Sequence, residues 1–310
     1  MKNKKTVLFH RDYAGFTGGH LKVWDYYQHV LMSDVFKPEI FFTSESVWLN
    51  NPWSELKEQC LTEWNPKNTD VLFLAGMDWL ALTENQRLNP PVPVINFIQH
   101  VRHADKQCPL YEFLKYPALR ICVSQEVTDA IKNTGIVNGS VVTNTNGIDL
   151  TELPTLVKKD IPLLIAGLKN PVLANEISER LMGMNIPCRV VSQYLPRKDY
   201  LSLLARAEVA LFLPNETEGF YLPALEAMYL KTLVICPDCI GNGGFCIDGE
   251  TCFKPKYNVE EIIKAIKHTF FLSENKIDVL LKNGYEISKK ATLSKERDAF
   301  LLSLSNYISD

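Results

Sequence analysis

Residues 208–231 read Glu208-Val-Ala-Leu-Phe-Leu-Pro-Asn-Glu-Thr-Glu-Gly-Phe-Tyr-Leu-Pro-Ala-Leu-Glu-Ala-Met-Tyr-Leu-Lys231. Val209 to Leu213 is apolar without polar alternation, as expected of a strand covered on both faces in a parallel sheet. A polar loop follows, and Pro223 suits the first turn of a helix, where its missing N–H does no harm. This order places the loop beyond the strand's carboxyl end, where open α/β sheets bind ligands. The amides of Gly219, Phe220, Tyr221 and Leu222, together with the positive end of the helix, make an anion site. Gly219 allows a ligand to approach the backbone closely. Two carboxylates bracket the site. Glu218 precedes the helix, and Glu226 lies about one turn inside it, tilted back toward the same crevice. Ala224, Leu225, Ala227 and Met228 make the helix apolar nearly all round and therefore buried. A buried carboxylate requires hydrogen-bond donors, which sugar hydroxyls would supply.

The same texture extends in both directions. Short apolar runs at Thr6–His10, Glu39–Phe42, Val71–Ala75, Val94–Ile98, Leu119–Val123 and Ser140–Thr143 form one series of expected strands. Leu163–Ala166, Cys188–Val191, Val209–Leu213 and Thr232–Cys236 form a second. Helical patterns fall between them at Leu21–Met32, Gln125–Asn133, Val172–Met182, Arg197–Ala205, Pro223–Tyr229 and Val259–Thr269. Alternation of this kind predicts an α/β protein built from βαβ units. Around Leu150 to Ile161, Pro154, Pro162 and a cluster of charge read as a linker between two lobes.

The 310 residues are 46% hydrophobic and 22% charged, with net charge −3, enough chain for about two domains with cores of their own. A pI near 6.1 offers no basic field for nucleic acid. No run approaches the ~18 apolar residues of a membrane span. The N-terminal residues have a basic start but too short an apolar run for a secretory signal. The eight cysteines are therefore read as reduced thiols of a cytoplasmic protein.

Glu218-Gly-Phe-x-Leu-Pro-x-Leu-Glu226-Ala-Met resembles the Glu-x7-Glu signature of family 4 retaining glycosyltransferases, which have the GT-B fold. Leu233-Val-Ile-Cys-Pro-Asp238 and Ile247-Asp-Gly-Glu-Thr251 are similar to the segments downstream of that signature in the family. Gly18-Gly19 and Asn146-Gly147-Ile148-Asp149 are further matches. The resemblance implies two Rossmann-like lobes, with the active site in the cleft between them and a C-terminal helix crossing back. Its expected divisions are residues 1–154 for the acceptor side, 155–289 for the nucleotide sugar, and 290–310 for the returning helix.

For the matching positions it implies that Glu218 contacts the donor sugar and Glu226 the nucleotide ribose. The amides of Phe220, Tyr221 and Leu222 would hold the diphosphate, and Gly18 and Gly19 would form a loop facing the reaction centre. His100 would stand near the donor sugar. His20 reads more simply as the start of a helix. The implied reaction moves a sugar from a nucleotide sugar to a saccharide or glycolipid hydroxyl with retention, in the assembly of a surface polysaccharide or glycoconjugate. Peripheral contact with the inner face of a membrane is compatible with such an acceptor. No Asp-x-Asp motif occurs, so no metal and no cofactor beyond the nucleotide sugar are expected. A same-fold epimerase or phosphorylase and a non-catalytic nucleotide-binding assembly subunit are the alternatives.

The chain departs from the family after the second lobe's first strand. Leu168 stands where an arginine is usual, leaving Lys169 as the nearby cation. This lobe is also about one βα unit short. Tyr194 follows a strand end where the base is read and is either a stacking residue or ordinary packing. Trp48 and Trp53 sit in a loop-like context that would pave an acceptor site, with Arg102, His103 and Lys106 as a small basic group. Cys236-x2-Cys239-x6-Cys246-x5-Cys252 is a competing metal signal, but it lacks paired Cys-x2-Cys knuckles. Cysteine also packs well as a small hydrophobe. Asn242 within Gly241-Asn-Gly-Gly244 is a candidate contact to the donor. Gly15-Phe-Thr-Gly-Gly19 lacks the Gly-x-Gly-x-x-Gly of a dinucleotide site.

Overall fold

A computed structural model describes residues 3–15, 17–155 and 157–309. Phe16 of the glycine loop and Leu156 of the expected linker lie outside the described residues. The chain divides into two compact units, Met1–Thr145 with Glu296–Asp310, and Asn146–Lys295.

The first unit is a six-stranded sheet in the order β2-β1-β3-β4-β5-β6, parallel at every pairing. Its strands are β1 (Lys5–Arg11), β2 (Phe36–Phe42), β3 (Val71–Ala75), β4 (Val94–Ile98), β5 (Leu119–Cys122) and β6 (Val141–Thr143). Each apolar run of the first series forms one of these strands. Among the helices of this unit are α1 (Gly18–Leu31), α2 (Glu84–Leu88) and α3 (Gln125–Asn133). Thr17, Thr83 and Ser124 cap their first turns by accepting backbone N–H groups. Arg120, fully buried in β5, donates to the carbonyls of Phe113, Leu114, Tyr116, Ala118 and Asn138 at 2.6–3.1 Å.

The second unit is a four-stranded parallel sheet in the order β10-β9-β7-β8. These are β7 (Ile161–Ala166), β8 (Arg189–Val191), β9 (Ala207–Phe212) and β10 (Leu233–Ile235). Helices α4 (Pro171–Met182), α5 (Arg197–Arg206), α6 (Leu222–Tyr229), α7 (Val259–Thr269) and α8 (Glu274–Ser288) accompany it. One apolar cluster joins Leu164, Ala210 and Phe212 to Leu225 and Met228 of α6, and another joins Leu163, Ile165 and Leu211 to Ile177 of α4 and Ile262 of α7. This sheet has four strands against the first unit's six.

The second unit begins earlier than the expected linker. Ile148 is buried in its core, its N–H donates to Ala291 at 3.0 Å, and its carbonyl accepts from Leu293 at 3.1 Å. Gly147 lies so close to Thr292 that a side chain there would meet backbone atoms. Asn146 to Leu153 therefore pack with the second unit, and the divisions fall after 145 and 295 rather than at 154 and 289. Helix α9 (Leu293–Ser309) carries the chain back, with Glu296 onward belonging to the first unit. There Glu296 meets Lys22 at 2.7 Å, and the Phe300 ring lies 4.7 Å from that of Tyr26.

Candidate active site

In the second unit the connections from β7 and from β9 run to opposite sides of the sheet, so their carboxyl ends flank a topological switch point. Lys169 follows β7 and Glu218 follows β9. Their side chains meet there, Nζ to Oε1, at 2.5 Å. The same Glu218 oxygen accepts from the Asn215 N–H at 3.1 Å and from its side-chain amide at 2.9 Å. The Lys169 ammonium also lies 5.7 Å from the centre of the Tyr221 ring. The carboxylate is thus held by three donors, one of them a cation on a flexible stem.

The loop after Glu218 is fixed by a second segment, residues 239–241. Glu218 N–H donates to the Cys239 carbonyl at 2.9 Å, and Tyr221 N–H donates to Gly241 O at 2.9 Å. A Cβ on Gly241 would come within 2.6–2.7 Å of Gly219, Glu218 and Phe220 backbone atoms, so glycine is required at this approach. Leu222 N–H donates to Phe220 O at 3.2 Å. The Tyr221 amide is therefore held by Gly241 and that of Leu222 by its own turn, where the sequence suggests amides facing a diphosphate. Phe220 packs its ring 5.2 Å from Phe245.

Glu226, on α6, is 1% exposed and accepts from Arg197 at 2.7 Å. Arg197, at the start of α5, also pairs with Glu152. Sequence reasoning missed this arginine, because no spacing rule connects it to a glutamate 29 residues away. Burial, then the neighbouring Glu226 charge, pushes the Tyr200 hydroxyl far above its ordinary range. Asn242 is fully buried, with its amide bonded to Pro237 O, the Cys236 sulfur and Cys239 N–H. It braces the loop from inside. Tyr194 is exposed, beyond the end of β8.

The first unit has its own switch point, between β1 and β3. Gly18 and Gly19 open α1 there, and the Gly19 carbonyl accepts from Gln99 at 3.1 Å. Asp78, just after β3, holds His10 at 3.2 Å and Arg11 at 2.8 Å, and Arg11 reaches His20 Nδ1 at 2.9 Å. Burial, then the Arg11 charge, lowers the His20 pKa to about 4, so the ring is neutral near pH 7. Neither Arg11 nor Asp78 was legible as part of a site, since each reads alone as a surface charge. His100 follows β4, and its Nδ1 accepts from Arg102 N–H at 3.0 Å.

Two acceptor-side readings change. Trp53 is fully buried, with its ring against Trp24, Tyr27 and Phe42, so it is core rather than paving. His103 is buried, which lowers its pKa to about 3, helped by Arg102 and His100, and removes it from the expected basic group. Among the described residues no group of three or more His, Cys, Asp or Glu is arranged to hold a metal ion. Nor is any described helix long and apolar enough to cross a membrane.

Residues 148–286 match the model of the family described as Glycosyl transferases group 1, a span covering most of the second unit. No curated protein matches the chain by sequence. Among solved structures, sucrose-phosphate synthase from Thermosynechococcus elongatus is similar, with TM-score 0.74, 12% identity, and coverage of 99% of this chain and 100% of that one. A glycosyltransferase from Rickettsia africae gives TM-score 0.71 at 13% identity, covering 99% and 100%. HepE of Anabaena, solved in complex with UDP-glucose, gives 0.69 at 13% identity, covering 97% and 100%. The chain has the GT-B fold of these structures, and residues 148–286 of its second unit are similar to the group 1 domain.

Proposed function

We propose that this glycosyltransferase of the group 1 type moves a sugar from a nucleotide sugar to a hydroxyl acceptor, with the donor bound at the second unit's switch point. The observation that carries the reading is the Lys169–Glu218 pair, standing at the carboxyl ends of β7 and β9 within the matched domain. The UDP-glucose bound by HepE supports a nucleotide sugar as the donor class.

Glu218 has one oxygen occupied by Asn215 and Lys169, which fixes the carboxylate plane. A carboxylate fixed in this way accepts hydrogen bonds from donor-sugar hydroxyls at little orientational cost. Lys169, 41% exposed, swings from Glu218 to the donor phosphate and offsets the charge that grows on the leaving nucleotide. With Leu168 in the usual arginine position, this single cation does what two ordinarily share. Glu226 keeps Arg197 in place beside the ribose. His100, Gly18 and Gly19 act on the sugar side, and Tyr194 meets the base.

Departure of the nucleotide and attack of the acceptor occur on the same sugar face, so anomeric configuration is retained, and no divalent metal takes part. The acceptor is a saccharide or glycolipid of a surface polysaccharide or glycoconjugate.

The test is a screen of uridine, guanosine, cytidine and adenosine sugar nucleotides by ligand-induced thermal shift. Proton NMR of the product formed from the best donor comes next, with and without EDTA. A donor-specific shift and a retained anomeric signal that persists in EDTA are expected. An inverted product, or activity that EDTA abolishes and manganese restores, would refute the corresponding part. Sugar epimerised without acceptor would replace transfer by epimerisation.

A further inference from the structure

The imidazole of His20 has no part in the chemistry above, yet it is fixed at the first unit's switch point. It is the third residue of α1, and its backbone N–H donates to the hydroxyl of the capping Thr17 at 3.2 Å. Nδ1 of the ring lies 2.9 Å from Nη2 of Arg11. Arg11 is buried at the end of β1, and its Nη1 donates to Asp78 at 2.8 Å. Asp78, also buried, accepts from the Ala75 N–H at 2.9 Å and lies 3.2 Å from His10. The fully buried Tyr13 sets its ring 4.7 Å from the imidazole and donates its hydroxyl to Asn50 O at 2.6 Å. Arg11 and Tyr13 together fix the orientation of the His20 ring.

A guanidinium has donors only, so Nδ1 of His20 accepts from Arg11. Its lone pair is then occupied, and the neutral ring carries its proton on Nε2. A second proton, on Nδ1, would set two N–H groups against each other and place a cation beside the Arg11 charge. The positive end of α1 opposes that proton as well. The lowered pKa of the ring, about 4, agrees: burial comes first and Arg11 second, with Asp78 and Asp12 acting in the opposite sense. Nε2 points away from Arg11 across the ring. No described residue bonds to it, and the side chain is half-buried rather than sealed. The open side therefore presents one N–H, aimed by a chain of contacts that ends at Asp78. Arg11 and Asp78 cancel in charge and His20 is neutral, a combination suited to an uncharged oxygen rather than to a phosphate.

We propose that His20 is the hydrogen-bond donor of an acceptor-sugar subsite, giving its Nε2–H to a sugar oxygen and taking no proton from the attacking hydroxyl. Arg11 and Asp78 are its positioning residues. Assigning that oxygen to the acceptor rests on the transfer reaction proposed above, in which the nucleotide sugar occupies the second unit. The locked donor does not rest on it.

Nitrogen-15 NMR of the histidine rings tests the lock in the full chain, with the His20 signals assigned by their loss in His20→Gln. Near pH 7, Nδ1 should resonate as an unprotonated nitrogen and Nε2 as a protonated one. A proton on Nδ1, or a ring that titrates near its ordinary 6.5, would overturn the lock. Arg11→Met should free Nδ1 and bring the titration of the ring closer to 6.5, and an unchanged ring would remove Arg11 as the positioning residue. Methyl glucoside, methyl galactoside, methyl mannoside and inorganic phosphate are then titrated in separately. At least one glycoside should shift the Nε2–H signal. Its affinity, followed through the Gly18 and Gly19 amides, should fall roughly tenfold in His20→Ala and much less in His20→Gln, which keeps an N–H donor. A shift from phosphate alone, no shift from any of the four, or equal losses in the two variants would overturn the subsite. The ring measurement needs no transfer. A locked donor in an inactive chain would refute the reaction and leave the lock standing, whereas an active chain with a titrating ring would refute this inference alone.

Discussion

Lys22 and Glu296 in the first unit meet at 2.7 Å with side chains 3% and 0% exposed, whereas Lys169 and Glu218 in the second meet at 2.5 Å while keeping 41% and 12% of theirs. The first pair is sealed. Asp25 also bonds Lys22 at 2.8 Å, and Phe300 on the same helix as Glu296 packs against Tyr26. Burial alone would lift the Glu296 carboxyl, but Lys22 and His29 hold it below its usual range. Such an arrangement fixes where α9 docks. The second pair is open on the lysine side, and an open pair contributes little to stability because water competes for it. Similar chemistry therefore serves position in one unit and, on the proposed function, binding in the other.

The strongest way to break this contrast is Glu296→Ala. Leaving Lys22 buried with only part of its compensation should cost about 3 kcal/mol or more. Urea unfolding followed by the fluorescence of unit-one tryptophans reads the loss. Next is Glu218→Gln, which should lower transfer by about 100-fold through lost positioning of the donor sugar. Its melting temperature should stay close to that of the parent, and a large drop would place Glu218 with the sealed pair instead. Lys169→Met comes third, raising the KM for the nucleotide sugar by roughly tenfold, or ~1.4 kcal/mol. An unchanged KM would remove Lys169 from the donor site.

The smallest effect is one of pH. His103 titrates near 6.5 when unfolded and at about 3 when folded. The unfolded chain then binds more protons between these values, so stability present above 6.5 is lost as pH falls toward 3. His103→Gln should flatten the fall of melting temperature on acidification relative to the parent. Parallel curves would refute a buried neutral imidazole.

Every expected strand is present because a run such as Val71 to Ala75, buried along its whole length, advertises itself by lacking polar alternation. Helix α8 was not legible. Gly284 in its middle weakens the local helical signal, yet a Cβ there would lie 3.1 Å from Met228 of α6, so the glycine answers to packing between helices. The loop of residues 218–222 was legible from its residue types as the connection from a buried strand to a buried helix. The partners of Glu226 and the inward turn of the Tyr221 amide were not, since both depend on contacts with segments remote in sequence. The same holds for the Asp78 clamp on His10 and Arg11, which joins residues 67 and 68 positions apart.

Helix α9 also sets the order of assembly during synthesis. Lys22 and its partner Glu296 are separated by 274 residues. At ribosomal rates that interval lasts roughly 14 to 55 s, during which the early-made helix α1 carries a lysine without its main counterion. The second unit, continuous from Asn146 to Lys295, has no such wait. The unit translated first is therefore the last to be completed.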